Sequence, residues 1–115
     1  MICPYCGARE DLADRKKEFT VSCLNCGKIY QVKVGKVRVL NERGARALKK
    51  KVEYRVRFVD DDNKEEFIKF KSKNDIELRA GDEVSFSYKK KILSGEFRDV
   101  PELMINYRIN LEMHV

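Results

Sequence analysis

Residues 3–7 read Cys-Pro-Tyr-Cys-Gly and residues 23–27 read Cys-Leu-Asn-Cys-Gly, and these two stretches contain all four cysteines of the chain. Two residues separate the cysteines within each pair, and sixteen lie between the pairs. A two-residue gap lets a tight turn point two thiolates at one ion, and the following glycine allows a positive φ angle there. The spacing therefore predicts one structural zinc ion in a closed shell of four thiolates, with these ligands: Cys3, Cys6, Cys23 and Cys26.

Two other chemistries use paired cysteines, and the sequence favours neither. Disulfides are typical of a secreted chain, and no secretory signal precedes Cys3. A thioredoxin-like dithiol occurs in a βαβ setting with one pair rather than two. The chain also has no apolar run near eighteen residues. We therefore expect a soluble, cytoplasmic protein with reduced thiols and no membrane partner.

Length and charge set broad limits on the kind of protein. A chain of 115 residues suits one domain, or one domain with a small metal-stapled annex. The net charge is +6. Most of the positive excess falls after residue 30, where the chain has twenty basic and fifteen acidic residues. A modest positive excess fits a nucleic-acid partner.

Apolar residues that alternate with polar ones predict strands through most of the chain. A hairpin carrying the second knuckle is expected over residues 18–34, and Gly35 marks a boundary between two domains, 1–34 and 35–115. After this boundary the period of two predicts five strands, over residues 36–41, 52–58, 65–71, 84–88 and 103–113. Only residues 43–51 have helical character, which Gly44 weakens. We expect an all-β fold in which the five strands form a small closed barrel.

Two parts of the chain resemble known folds. With its four cysteines in the ligand role, the first part resembles the zinc-ribbon family of archaeal transcription and translation proteins and RNA-polymerase-associated factors. The second part is similar to an OB-fold, with a tight hairpin between its second and third strands and a Gly81-Asp82 turn before the fourth. The usual helix before that fourth strand is missing or reduced, so an SH3-like barrel is the alternative. The order of an N-terminal ribbon and a C-terminal OB-like barrel is also similar to that of acyl-CoA-associated partner proteins of thiolases. This similarity implies an acyl-CoA-associated scaffold. The Pro-Pro-Arg stretch and the shorter knuckle spacing of those proteins are absent here.

The OB-like interpretation places a binding site on the outer face of the second and third barrel strands and in the two flanking loops. An exposed aromatic ring among cations suits single-stranded nucleic acid, because the ring stacks on a base while the cations contact phosphates. The predicted contacts on the strands are Arg55, Arg57, Phe67, Lys69 and Lys71, and those in the loops are Lys49, Lys50, Lys51, Lys89, Lys90 and Lys91. The alternative for Phe67 is that its ring packs against the ribbon.

The sequence thus predicts a non-enzymatic zinc-binding module that binds single-stranded DNA or RNA with little sequence specificity. The alternative is an adaptor that docks a larger enzyme or polymerase through the knuckle tips, Tyr5 and Leu24. We interpret Asp60–Asp62 as a solvated turn and His114 as a tail residue. No nucleophile with a base, phosphate-binding glycine loop or paired carboxylates stand out, so neither catalysis nor a small-molecule substrate is expected.

Overall fold

The structure is a computed structural model that describes residues 2–9, 18–43, 52–59, 63–72, 76–109 and 111–114. These residues form seven strands and no helix, which confirms the all-β prediction. The strands are β1 (Glu18–Ser22), β2 (Ile29–Arg43), β3 (Val52–Val59), β4 (Glu65–Ser72), β5 (Glu83–Tyr88), β6 (Leu103–Asn106) and β7 (Leu111–His114). Within the described ranges, no helix has the length and apolar character needed to cross a membrane.

The fifteen-residue strand β2 organises the sheet. Its first half pairs with β1 and β5, and its second half pairs with β3, all antiparallel. The order across the sheet is β4-β3-β2-β5-β6-β7, with β1 beside β2. Among the described strands, β4 does not pair with β6 or β7. The sheet therefore curls into a half-barrel with an open seam, rather than the closed barrel that the sequence predicted.

Strand β2 continues without a break through Gly35, where the sequence placed the domain boundary. A Cβ atom on Gly35 would collide with the ring of Phe58 and lie 2.7 Å from the carbonyl oxygen of Val59. Glycine suits this position because β2 and β3 approach each other closely, and not because the chain turns. The division into 1–34 and 35–115 stays a prediction, and it would cut through the middle of a strand.

Aromatic side chains from β3, β4 and β5 form the centre of the main core. Tyr54 stacks on Phe70 with ring centroids 5.5 Å apart, and Phe86 meets Phe70 at 5.8 Å and Phe58 at 5.9 Å. Such pairs stabilise the fold by about 0.5–1.5 kcal/mol each beyond their buried area. Because side chains alternate along a strand, these inward rings leave the intervening residues of β3 and β4 on the outer face.

The segment from 103 to 113, predicted as one long strand, is a hairpin. β6 ends at Asn106, residues 107–109 form a turn, and β7 returns with His114 opposite Leu103. The single-strand prediction was wrong because the apolar period of two is the same on both sides of the turn. His114 accordingly lies in a strand and not in a tail.

The turn after β6 is built around the buried side chain of Asn106. Its amide nitrogen donates to the carbonyl oxygen of Glu77 at 3.0 Å and to the carboxylate of Asp82 at 2.9 Å. Its oxygen accepts the backbone N–H of Arg108 at 3.1 Å. An asparagine that bonds its own backbone two residues on starts a turn, so this residue ends β6.

Candidate metal centre and nucleic-acid interface

The two cysteine pairs lie in turns with the same backbone hydrogen bonds. In each turn the N–H of the first cysteine donates to the carbonyl five residues later, and the glycine N–H donates back to that cysteine, at 2.8–2.9 Å. Gly7 and Gly27 have φ angles of 78° and 75°, in the left-handed region that glycine adopts without strain. These turns present both sulfurs of a pair on one side, as the spacing predicted.

The four Sγ atoms form a compact cluster, all within 4.8 Å of one another. Cys3 and Cys26 are 3.8 Å apart, Cys6 and Cys23 are 3.6 Å apart, and none is in a disulfide. Thiolates bound about 2.3 Å from a tetrahedral metal ion are separated by about 3.8 Å. The sulfur positions therefore fit a four-thiolate metal site that needs no further donor.

The two sides of the sulfur cluster differ in environment. Burial raises the pKa of Cys3 to about 12, and Cys23 is also buried. The Cys6 sulfur is exposed and accepts a hydrogen bond from the Asn25 amide at 3.6 Å, which lowers its pKa to about 6. A buried thiolate needs a compensating positive charge, which a bound cation supplies. Four sulfur donors in a tetrahedron suit zinc or iron.

Tyr5 connects the first knuckle to the loop that follows β5. Its hydroxyl accepts a hydrogen bond from the backbone N–H of Lys90 at 2.8 Å. The ammonium groups of Lys28 and Lys89 lie 4.9 Å and 5.4 Å from its ring centroid, within cation–π range. The expectation of exposed knuckle tips therefore holds for Leu24, which is 91% exposed, and not for the half-buried Tyr5.

A third loop, residues 90–97, repeats the backbone geometry of the knuckles without cysteines. The N–H of Lys91 donates to the carbonyl of Glu96 at 2.6 Å, and the N–H of Gly95 donates back to Lys91 at 3.2 Å. Gly95 has a φ angle of 70°, close to that of the knuckle glycines. Lys91 and Ser94 thus occupy the two positions that cysteines hold in the knuckles.

The tip of this third loop carries Ile92 and Leu93, which are 91% and 100% exposed. Sequence reasoning missed it because the knuckle pattern was recognised by its cysteines. The available signal was the Gly95 that follows Ser94, in the position that glycine holds after the second cysteine of each knuckle. The tip is therefore an exposed apolar projection of the loop whose Lys90 bonds to Tyr5 of the first knuckle.

The predicted strand contacts lie together on the outer face of the β3–β4 hairpin. The strand register pairs Arg57 with Phe67 and Arg55 with Lys69, and it places Lys71 on the same face. The Phe67 ring is 53% exposed and belongs to neither apolar cluster that contains ribbon residues. The structure therefore brings the ring and the cations together as neighbours.

One acidic side chain, Glu53, lies among these cations. Its carboxylate is 3.4 Å from the ammonium of Lys69 and 3.6 Å from the guanidinium of Arg55. Burial opposes its ionisation, but the hydrogen bond and charge of Lys69, with the charges of Arg55 and Lys71, lower its pKa. Arg57 and Lys71 have no ion pair within the described part of the chain.

The structure describes only one of the two loops that were predicted to flank the strand face. Lys49, Lys50 and Lys51 lie outside the described residues, as does Asp60–Asp62. The Lys89 ammonium is 3.3 Å from the Glu102 carboxylate, the Lys90 ammonium is 5.5 Å from the ring centroid of Phe97, and Lys91 is exposed. Residues 98–102 of the same loop, including Arg98, border the outer face of β4.

A comparison with protein-family models, curated proteins and solved structures finds no match to this chain. The class of protein therefore follows from the geometry alone. It is an all-β protein that has a four-cysteine cluster with the geometry of a metal site and a cationic strand face with an exposed aromatic ring.

Proposed function

We propose that the protein is a non-enzymatic module that holds one structural zinc ion and binds single-stranded nucleic acid. The observation that carries the proposal is the exposed Phe67 ring, which lies opposite Arg57 and beside Lys69 on one strand face. Stacking of a base on such a ring contributes about 1–3 kcal/mol, and the cations attract the phosphates. Stacking and phosphate contacts read little sequence, so specificity is low.

The zinc ion in this proposal has a structural role. All four ligands come from the protein, so no coordination position remains for water or substrate. The buried sulfurs of Cys3 and Cys23 belong to the same apolar cluster as Tyr30, Val32 and Val34 of β2. The ion therefore stabilises the region where the knuckles meet the main sheet. A cytoplasmic location, which suits reduced thiolates, is part of the same proposal.

An OB-like arrangement supports the choice of surface. An OB-fold is a partly open barrel that binds oligonucleotides on its second and third strands and the adjoining loops. If β2 is the first barrel strand, β3 and β4 are the second and third, and the loop after β5 is one of the binding loops. The open seam and the pairing of β2 with both β3 and β5 fit this assignment.

A fluorescence-anisotropy titration with a labelled single-stranded oligonucleotide tests the proposal. Replacing Phe67→Ala removes the stacking ring, and Ile92→Ala is the matched control because it removes an exposed apolar side chain off the face. We expect Phe67→Ala to weaken binding about 5- to 150-fold, which corresponds to about 1–3 kcal/mol. Unchanged affinity in a folded Phe67→Ala variant would show that the strand face is not the binding surface.

The exposed tips favour a second function, an adaptor that docks a larger enzyme or polymerase. Leu24, Ile92 and Leu93 are the three most exposed large apolar side chains among the described residues. Apolar docking depends little on salt, whereas binding to phosphates weakens steeply as salt increases. Binding to a protein partner that persists at high salt and is lost in Leu24→Ser and Leu93→Ser would favour the adaptor.

A further inference from the structure

A cleft of about 730 Å³ opens along β4, between this strand and residues 98–102. Its apolar lining comes from Phe67 and Phe70 on the strand and from Val100 and Pro101 on the facing segment. Ligand-binding clefts typically measure about 300–1,000 Å³. The cleft lies on the side of β4 where no further described strand pairs, so it occupies the seam of the half-barrel.

The wall formed by residues 98–102 is fixed at both ends. The backbone N–H of Arg98 donates to the carbonyl of Lys89 at 2.9 Å, and that of Glu102 donates to the carbonyl of Ser87 at 2.8 Å. Pro101, between these anchors, is buried. The cleft is therefore preformed, and a ligand entering it does not have to order this segment first.

Some charged side chains of the lining form ion pairs and others do not. The carboxylates of Glu53 and Glu102 are each paired with a lysine, at 3.4 Å and 3.3 Å. Lys71 and Arg98 have no ion pair within the described residues, and the exposed Asp99 is the remaining acid of the lining. Apolar walls with two available cations match a planar heteroaromatic ring that carries a phosphate.

We propose that this cleft holds one base of the bound strand, stacked on Phe67, with a neighbouring phosphate at Lys71 or Arg98. The inference rests on the proposed function and adds a nucleotide-sized subsite at the seam of the half-barrel. The strand then crosses the outer face of β3 and β4 and turns over the edge of β4. A free nucleoside monophosphate has the same chemistry, so both ligands are tested.

The experiment compares two variants with the same change of charge. Val100→Asp places a carboxylate in the cleft, and Ile92→Asp places one in the same loop outside it. Both native side chains are more than half exposed, at 53% and 91%, so we expect both variants to fold, which circular dichroism checks. The probes are a labelled single-stranded oligonucleotide and adenosine 5′-monophosphate. We expect Val100→Asp to weaken oligonucleotide binding at least about tenfold, and Ile92→Asp less than about twofold.

Each outcome decides a different claim. If both variants bind the oligonucleotide as the native protein does, the cleft holds no base, although the proposed function stands. If the native protein binds only the monophosphate and Val100→Asp abolishes this, the cleft is a nucleotide site and the single-strand function is wrong. If the native protein binds neither probe, both proposals are overturned.

Discussion

The hydroxyl of Tyr5 accepts a hydrogen bond from the backbone N–H of Lys90, which is 85 residues further along the chain, at 2.8 Å. Tyr5 lies between the cysteines of the first knuckle, and Lys90 belongs to the loop whose later residues, 98–102, form the wall of the cleft. The candidate metal centre is therefore connected to the proposed binding surface indirectly, through this loop.

Tyr5→Phe should lower the free energy of unfolding by about 1 kcal/mol, because it removes one acceptor and keeps the ring that contacts Lys28 and Lys89. Denaturant titration of the metal-loaded protein measures this change. Leu24→Ala, at the exposed tip of the other knuckle, is the control and should change stability by less than about 0.5 kcal/mol. Equal stability of Tyr5→Phe and the native protein would show that the contact contributes nothing.

Removing the metal ion that we propose for the four cysteines should destabilise the whole fold and not only the knuckles. Binding of structural zinc to isolated zinc-finger peptides contributes about 10–16 kcal/mol of folding free energy. The free energy of unfolding of a whole domain is of similar size, about 5–15 kcal/mol. Because Tyr30 and Val32 of β2 belong to the same buried cluster as Cys3 and Cys23, we expect loss of the ion to affect the central strand. Metal analysis before and after chelation, with circular dichroism of both forms, measures the effect. An unchanged unfolding transition in the metal-free protein would contradict it.

Gly35→Ala should destabilise the protein by about 1–3 kcal/mol, because the added methyl group overlaps the Phe58 ring and the Val59 carbonyl. Thermal or denaturant unfolding measures the loss. Measured against Phe58→Leu alone, Gly35→Ala should cost less than it does in the native protein, because the ring is gone while the backbone contact remains. If Gly35→Ala matches the native protein, the close approach of β2 and β3 is not required.

Asp82→Asn should destabilise the protein by about 3 kcal/mol at neutral pH. The Asp82 carboxylate is buried and accepts hydrogen bonds from Arg108 Nε at 2.5 Å, from Asn106 at 2.9 Å and from the backbone of Arg79 at 2.9 Å. Removing one partner from such a buried network costs about 3–5 kcal/mol. The exposed Asp99→Asn is the control, with an expected change below about 0.5 kcal/mol.

The same carboxylate should make stability depend on pH. Burial opposes ionisation of Asp82, but its hydrogen bonds outweigh this and lower its pKa below the ordinary 3.8. Its contribution is therefore complete above about pH 4 and is lost as the pH falls through the lower folded value. Because acid also releases thiolate-bound metal, the quantity to follow is the difference between native protein and Asp82→Asn. That difference should narrow in acid; a difference that is constant with pH would contradict the assignment.

The features that were predicted correctly depend on residues that are close together in the sequence. Two residues between cysteines and a following glycine are enough to define a knuckle, because the turn closes within five residues. The alternation in β3 and β4 similarly assigns Arg57 and Phe67 to the outer face without any distant partner. A hairpin joined by a short connection then brings these side chains together.

The features that the sequence missed depend on distant contacts. Asn106 ends β6 because Asp82 and Glu77 hold its side chain, and neither is near it in the sequence. Position 35 of β2 is a glycine because Phe58 and Val59 of the next strand leave no room for a Cβ atom. The cleft arises because β4 has no described partner at the seam, which strand prediction alone does not reveal.

The central claim, binding of single-stranded nucleic acid on the β3–β4 face, is tested most directly by the salt dependence of affinity. For single strands the logarithm of the binding constant falls with a slope of about 0.7 per phosphate contact. Arg57→Gln removes a cation from the face, and Arg79→Gln removes an equally charged, exposed side chain elsewhere. We expect salt-sensitive binding by the native protein, a slope smaller by about 0.7 in Arg57→Gln, and an unchanged slope in Arg79→Gln. The absence of binding at low salt, or identical slopes in all three proteins, would contradict it.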